Sequence, residues 1–423
     1  MYRHTITSQM RRYKKPFSVM LVVALVICMV TPCSAATKYA AVGDSESTEM
    51  MDSLDILLAA FRVLGGEAES ESAVWENISG IRDIQPLYDV EHSVIAYYLA
   101  FDPYGYAIIN NNLNNPIVME YSPVNNVSMD STFREVKTSE KASGEVDFVC
   151  YGGPMSVCTY SEVQSDIATL GQSAMTELPV ETIYGYMKAT NSNERSAHLK
   201  LRAYVEEQYG QDVVPDIATT FSARGSYTIA ELKEMYNIID WGNMPVATYT
   251  SGYLNSLSAS GYGTTGMYNG VDGATNHCAS VAGLNLIIHY KNYLNASNLM
   301  TNNTSADDKE ETFVAIHSLM GNGPVLLGAF ESAMSSYVTA RGYTYRSTSG
   351  GNYAAQRQGI TVQRMGIIIV AGSITNWHTI NVVGYRDYTG GESYMRVIDG
   401  WEDTTLRFIN QSSIAFGACV WIS

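Results

Sequence analysis

The chain of 423 residues is long enough for more than one domain, and 46% hydrophobic against 16% charged residues excludes a disordered chain. Its 26 basic residues face 42 acidic ones, a net charge of −16. A chain so acidic is repelled by a phosphate backbone, which argues against a nucleic-acid partner.

The N-terminus reads as an export signal. Arg3, Arg11, Arg12, Lys14 and Lys15 precede the apolar run FSVMLVVALVICMV, and the small residues CSAAT follow, so residues 1–36 are assigned to a signal peptide cleaved near Ala35 or Ala36. The alternative is one uncleaved membrane anchor, since the run lies near the lower limit of about 17 residues for a span. Cleavage leaves 21 basic against 42 acidic residues, a net charge of −21, with no membrane span and an extracellular location. Of the six cysteines, Cys150, Cys158, Cys278 and Cys419 remain. An even number in an exported chain permits two disulfides, Cys150 with Cys158 being the most local pair and Cys278 with Cys419 the other.

Residues 37–175 read as a small α+β domain. The spacing of Leu54, Ile56, Leu57, Leu58, Phe61 and Leu64 predicts an amphipathic helix ending at Gly65-Gly66. The stretch SVIAYYLAFDPYGYAIINNNLNNPIVMEYS alternates strand-like runs with turn residues and predicts a small antiparallel sheet packed on that helix. Residues 123–175 show turn chemistry and no long period. Residues 176–239 read as a helical connector, with RSAHLKLRAYVEEQYG and TIAELKEMYNII as its helices.

Residues 240–423 carry the chemistry. A Gly/Ser/Tyr-rich loop leads into NHCASVAGLNLIIHY, whose apolar positions cover nearly the whole circumference, the pattern of a helix buried on most sides. Cys278 falls at its start, where free backbone N–H groups and the positive end of the helix dipole favour a thiolate. Further helices are predicted in ADDKEETFVAIHSLMGNG and SAMSSYVTARGY, then the strand GIIIVAG at 366–372. His378 opens the strand TINVVGY, and Tyr394 to Ile398 form the next strand, ending at Asp399 and Trp401. Adjacent antiparallel strands would bring His378 and Asp399 to one region, as a base and its orienting carboxylate require. Cysteine, histidine and acid on separate elements form the arrangement for acyl transfer through a thioester.

NHCASVAGLNLIIHY, HTINVVGY and VIDGW resemble the three catalytic segments of papain-like cysteine peptidases, above all bacterial ones related to streptopain and to bacteriocin-leader peptidases. The resemblance covers roughly residues 240–423. It implies an α+β, papain-like catalytic domain, with Cys278 as nucleophile, His378 as general base and Asp399 as the residue that orients His378. Trp401 matches an aromatic that shields the histidine–acid contact, its alternative being ordinary packing. The residues before 176 resemble strand-rich propeptides that precede such domains. The alternative there is a permanent domain that binds substrate or cell wall.

The sequence departs from the family at Asp272, six positions before the cysteine, where such enzymes carry a glutamine that donates to the oxyanion. An ionised carboxylate cannot donate, so Asn276 is assigned that role, with Asn269 as the other candidate. His277 and His289 are read as structural, and no His/Cys spacing calls for a metal or cofactor. The expectation is a secreted cysteine peptidase made as a precursor and acting on a peptide or protein substrate. Two alternatives stay open: a transglutaminase-like acyltransferase on the same scaffold, and a catalytically silent binding module, which Asp272 favours.

Overall fold

The computed structural model describes residues 80–162, 192–209 and 248–423, apart from gaps at 90, 144–146, 155, 256–260, 302–307, 324, 349–350, 372–376 and 415, together with 50–52, 55, 56, 58–60 and 62. Residues 1–36 and the TIAELKEMYNII segment lie outside the described residues.

The chain folds as mixed α+β around one large sheet. Strands β1 (Gly80–Tyr88), β2 (Val94–Asp102), β3 (Tyr106–Asn110) and β4 (Val118–Ser122) form an antiparallel meander. Its turns fall where the sequence places Asp-Pro-Tyr-Gly and the asparagine cluster. Gly105, at φ 98°, makes the first of these turns, and a side chain there would meet the Ser122 carbonyl oxygen at 2.8 Å. Residues 55–62, where described, are helical, in line with the predicted amphipathic helix.

A second helix, α1 (Val127–Ser143), falls in the segment where no period was read. Met129, Phe133 and Val136 repeat at helical spacing, and they pack on Tyr98, Tyr106 and Tyr151 in a separate apolar cluster. The hairpin β5 (Val149–Gly153) and β6 (Ser156–Thr159) follows and continues the sheet beside β1. Helix α2 (Ser192–Tyr209) is tied to the N-terminal segment by His198, whose ring lies 3.0 Å from Asp55, and by Arg202, which pairs with Asp52 and Asp55.

The second half supplies α3 (Cys278–Leu294), α4 (Asp308–Met320), α5 (Leu327–Thr339) and α6 (Tyr353–Thr361). Its strands are β7 (Tyr249–Tyr253), β8 (Tyr345–Thr348), β9 (Gly366–Ala371), β10 (Trp377–Tyr388), β11 (Ser393–Ile398), β12 (Arg407–Asn410) and β13 (Phe416–Ile422). The sheet order is β6-β5-β1-β2-β3-β4-β12-β11-β10-β9-β13-β8, with β7 added against the C-terminal half of β10.

The predicted N-terminal sheet is therefore not an island: β4 pairs antiparallel with β12, placing Phe408 opposite Tyr121 and Ile409 opposite Glu120. The Tyr121 and Tyr388 hydroxyls lie 3.1 Å apart, and Arg62 forms a buried ion pair with Glu392 across the same junction.

Helix α3 is buried from Ala279 to Tyr290, as its uncharged run predicts. Fully burying an aliphatic side chain such as Leu284 or Ile287 contributes roughly 1.5–3 kcal/mol each, so this helix anchors the second core. Polar groups on it are satisfied by neighbours: Asn285 bridges the N–H and carbonyl of Gly263, and Tyr290 donates to the Val420 carbonyl. Asn381 of β10 donates to the Ala282 carbonyl at 3.0 Å and fixes the helix against the strand that carries His378.

None of the four described cysteines is in a disulfide. Cys150 and Cys158 face each other across β5 and β6. The alternative Cys278–Cys419 bridge is corrected: the Cys419 sulfur lies on β13 and donates to the Ala355 carbonyl of α6 at 3.1 Å, leaving Cys278 untied.

Candidate active site

The start of α3 and the start of β10 meet at one point. Cys278 is the first residue of the helix and is half-buried, while His378 is the second residue of the strand and only 3% exposed. Their side chains are hydrogen-bonded to each other. The helix start supplies the Ala279 N–H to the sulfur, and the strand adds the Thr379 N–H.

This arrangement polarises the pair in opposite directions. Burial works against the Cys278 thiolate, but the hydrogen bond and charge of His378 outweigh it, with help from the two N–H groups, and the thiol falls below its ordinary value. Burial likewise works against the His378 cation. The bond and charge of Cys278 overcome that penalty, joined by the Asp399 carbonyl, and the imidazole rises above its ordinary value. Together the two shifts favour a thiolate–imidazolium pair, the form in which sulfur is a nucleophile and the ring a proton donor.

Asp399 meets His378 in a way the sequence did not foretell. The imidazole Nε2–H donates to its main-chain carbonyl oxygen at 2.5 Å. The expectation of an orienting carboxylate is corrected, because that carboxylate faces away. One oxygen accepts the N–H groups of Trp401 (3.0 Å) and Glu402 (3.2 Å), and the other is held by Arg407. Arg407, on β12, is fully buried, and a second nitrogen lies 2.9 Å from Glu402. Burial alone would lower the guanidinium's affinity for its proton, but the Asp399 charge more than compensates.

Trp401 lies over the histidine, with ring centroids 4.2 Å apart and planes inclined by 22°. Such an offset stack excludes water from one face of the imidazole and restricts its rotation. Gly400, at φ 76°, makes the turn that lets the Asp399 carbonyl and the Trp401 ring approach His378 together.

On the cysteine side, Asn276 adopts a left-handed φ of 49° and is exposed, its carbonyl accepting the Gly323 N–H at 3.3 Å. Asp272 is also left-handed, at 52°, and exposed, as is Asn269. His277 is engaged elsewhere: its Nε2 donates to the Thr265 carbonyl at 3.0 Å. His289 is fully buried with Nε2 on the Gln363 carbonyl, and burial lowers its pKa to about 4, so it is neutral at ordinary pH.

Two contributors went unassigned at the level of sequence. Arg407 is a lone cation inside the apolar run LRFIN, a signal that a strand buried on both faces was hiding an ion pair. The Asp399 main-chain carbonyl leaves no trace in a sequence, because every residue has one. Among the described residues no group of three or more His, Cys, Asp or Glu side chains is placed to hold a metal ion, and no helix is long and apolar enough to cross a membrane.

No family model matches the chain, and no curated protein matches it. Among solved structures, a fragment of prointerpain A from Prevotella intermedia matches at 11% identity, covering 80% of this chain and 98% of that chain, with a TM-score of 0.27. At that TM-score the likeness carries no weight on function.

Proposed function

We propose that the protein is a secreted cysteine peptidase, made as a precursor, that hydrolyses peptide bonds through a Cys278 thiolate. The observation that carries this reading is the Cys278–His378 hydrogen bond, with the thiol lowered and the imidazole raised. A cysteine buried for packing alone behaves otherwise, as Cys150 and Cys419 do, where burial pushes the thiols up to about 12 and about 11.

In this mechanism the Cys278 sulfur attacks the scissile carbonyl carbon, and the carbonyl π electrons move onto oxygen. The Cys278 N–H and the Asn276 amide donate to that oxyanion. His378 gives its proton to the departing amine as the C–N bond breaks, leaving a thioester on Cys278. His378 then takes a proton from water, whose oxygen attacks the thioester. Collapse breaks the C–S bond and returns the thiolate and the imidazolium, and the released carboxylic acid loses its remaining proton to solvent. The Asp399 carbonyl and the Trp401 ring keep the imidazole in the orientation both steps need.

Residues 1–36 act as the export signal, residues 240–423 as the catalytic domain, and residues 37–175 with the connector 176–239 as the propeptide. The alternative to a propeptide, a permanent part of the sheet, draws support from the pairing of β4 with β12, because removal of the segment would bare the β12 edge.

The test is incubation of residues 37–423 with a peptide mixture in mild reductant, beside Cys278→Ala, with products read by mass spectrometry. New free carboxylates formed by the parent alone support hydrolysis. New amide bonds would assign the protein to acyl transfer instead, and a parent that stays inert, with unreactive Cys278, even after limited proteolysis of the segment before residue 240 would leave the binding-module reading.

A further inference from the structure

We propose that Arg407 is a positioning residue for His378: by gripping the Asp399 carboxylate, it holds the Asp399 carbonyl against the imidazole. This inference rests on the peptidase reading and assigns a role to a side chain that touches neither substrate nor nucleophile.

The argument begins with register. Arg407 opens β12 directly opposite Val397 of β11, two residues before Asp399, so its guanidinium reaches the end of the neighbouring strand. There it meets the Asp399 carboxylate, whose other oxygen is occupied by the N–H groups of Trp401 and Glu402. The carboxylate is thus fastened from both sides. With side chain and following turn immobilised, the Asp399 carbonyl has one direction left, toward Nε2 of His378.

Arg407 faces Asp399, Glu402, Glu120, Tyr106 and Tyr98, and His378 faces Cys278 and Asp399. Arg407 and Asp399 have no exposed surface. Burying such a pair is costly, and an apolar pair of similar volume would often fold as well. Holding the carbonyl and cancelling the Asp399 charge beside His378 is what an apolar pair could not do. Glu402 extends the clamp: one oxygen pairs with Arg407 and the other accepts the Val127 N–H at the start of α1, at 2.8 Å.

The test uses residues 37–423 with Arg407→Met and with the double change Asp399→Asn, Arg407→Met, which removes both charges and keeps the carbonyl. The readouts are the pH dependence of Cys278 alkylation by iodoacetamide, peptide hydrolysis, and folding by circular dichroism. In Arg407→Met the uncompensated Asp399 carboxylate favours the imidazolium, so the upper inflection of the alkylation profile moves up by about one pH unit or more. Hydrolysis falls at least about 10-fold through kcat as the ring loses its fixed acceptor. The double variant returns the inflection toward the parental position and keeps the loss of kcat.

A folded Arg407→Met protein with the parental inflection and kcat overturns the proposal. If that variant does not fold, parental kcat in the double variant overturns it, and failure of both to fold assigns Arg407 to folding alone. A parent whose alkylation shows no low-pH thiolate plateau overturns the peptidase reading itself, an outcome distinguishable because it needs no variant at Arg407.

Discussion

His378→Ala isolates the force that favours the Cys278 thiolate. In the parent, burial opposes the thiolate while the His378 bond and charge favour it, and the balance lies below the ordinary thiol value. Removing the imidazole leaves burial in place with only the Thr379 and Ala279 N–H groups against it. A hydrogen bond to a charged group contributes roughly 1.5–3 kcal/mol, and one pKa unit corresponds to about 1.36 kcal/mol. The thiol should therefore rise by about one to two units from the bond alone, lowering the thiolate fraction at pH 6 by roughly 10- to 100-fold. The assay is the rate of iodoacetamide labelling at Cys278, followed by peptide mapping so that labelling at the partly exposed Cys158 is counted separately. The gap between parent and variant should close near pH 10, where thiolate forms without help. Equal labelling rates for a folded His378→Ala protein at pH 6 would refute the reasoning.

The pH dependence of peptide hydrolysis follows from the same two shifts. Activity rises on the acid side as the lowered Cys278 thiol ionises and falls on the alkaline side as the raised His378 loses the proton it must donate, giving a bell whose upper limb lies above the ordinary histidine range. An upper limb below about 6.5 contradicts the account. Asn276→Ala should lower kcat on the order of 100-fold while Cys278 labelling stays parental, because an oxyanion donor acts only in the transition state. Parental turnover would give that role to another donor, Asn269 foremost. Gly351→Ala should lower stability by about 3 kcal/mol in a urea titration, since the added carbon would sit 1.9 Å from the Gly417 carbonyl carbon, where backbone meets backbone. An unchanged midpoint would show that the segment before α6 moves freely off β13.

Much of the second half was legible because its elements declare themselves locally. The uncharged run after Cys278 marks a helix buried all round, and GIIIVAG and TINVVGY mark strands whose neighbours are adjacent in sequence. That adjacency also carried the approach of His378 to Asp399, and an aromatic two residues past a strand end is well placed to stack back on the histidine.

The remainder depends on contacts that local pattern does not encode. Pairing of β4 with β12 joins segments almost 300 residues apart, and the apolar alternation of each strand is satisfied by more than one partner. Helix α1 was missed because charge and serine dilute its apolar stripe. The orienting role of Asp399 was ascribed to its carboxylate on the precedent of acid residues in triads, whereas Arg407 claims that group and the main chain faces the ring. Cysteine number allowed two disulfides, but spacing does not fix sulfur positions, and Cys419 lies on β13 against α6.

The central claim is that Cys278 takes up an acyl group with His378 as its partner. The direct measurement is intact mass of residues 37–423, quenched in acid milliseconds after mixing with an activated ester of an acylated amino acid. The account predicts one acyl adduct per chain, mapped to Cys278, absent in Cys278→Ala and strongly slowed in His378→Ala. An adduct at another residue, or equal acylation of parent and Cys278→Ala, would contradict it.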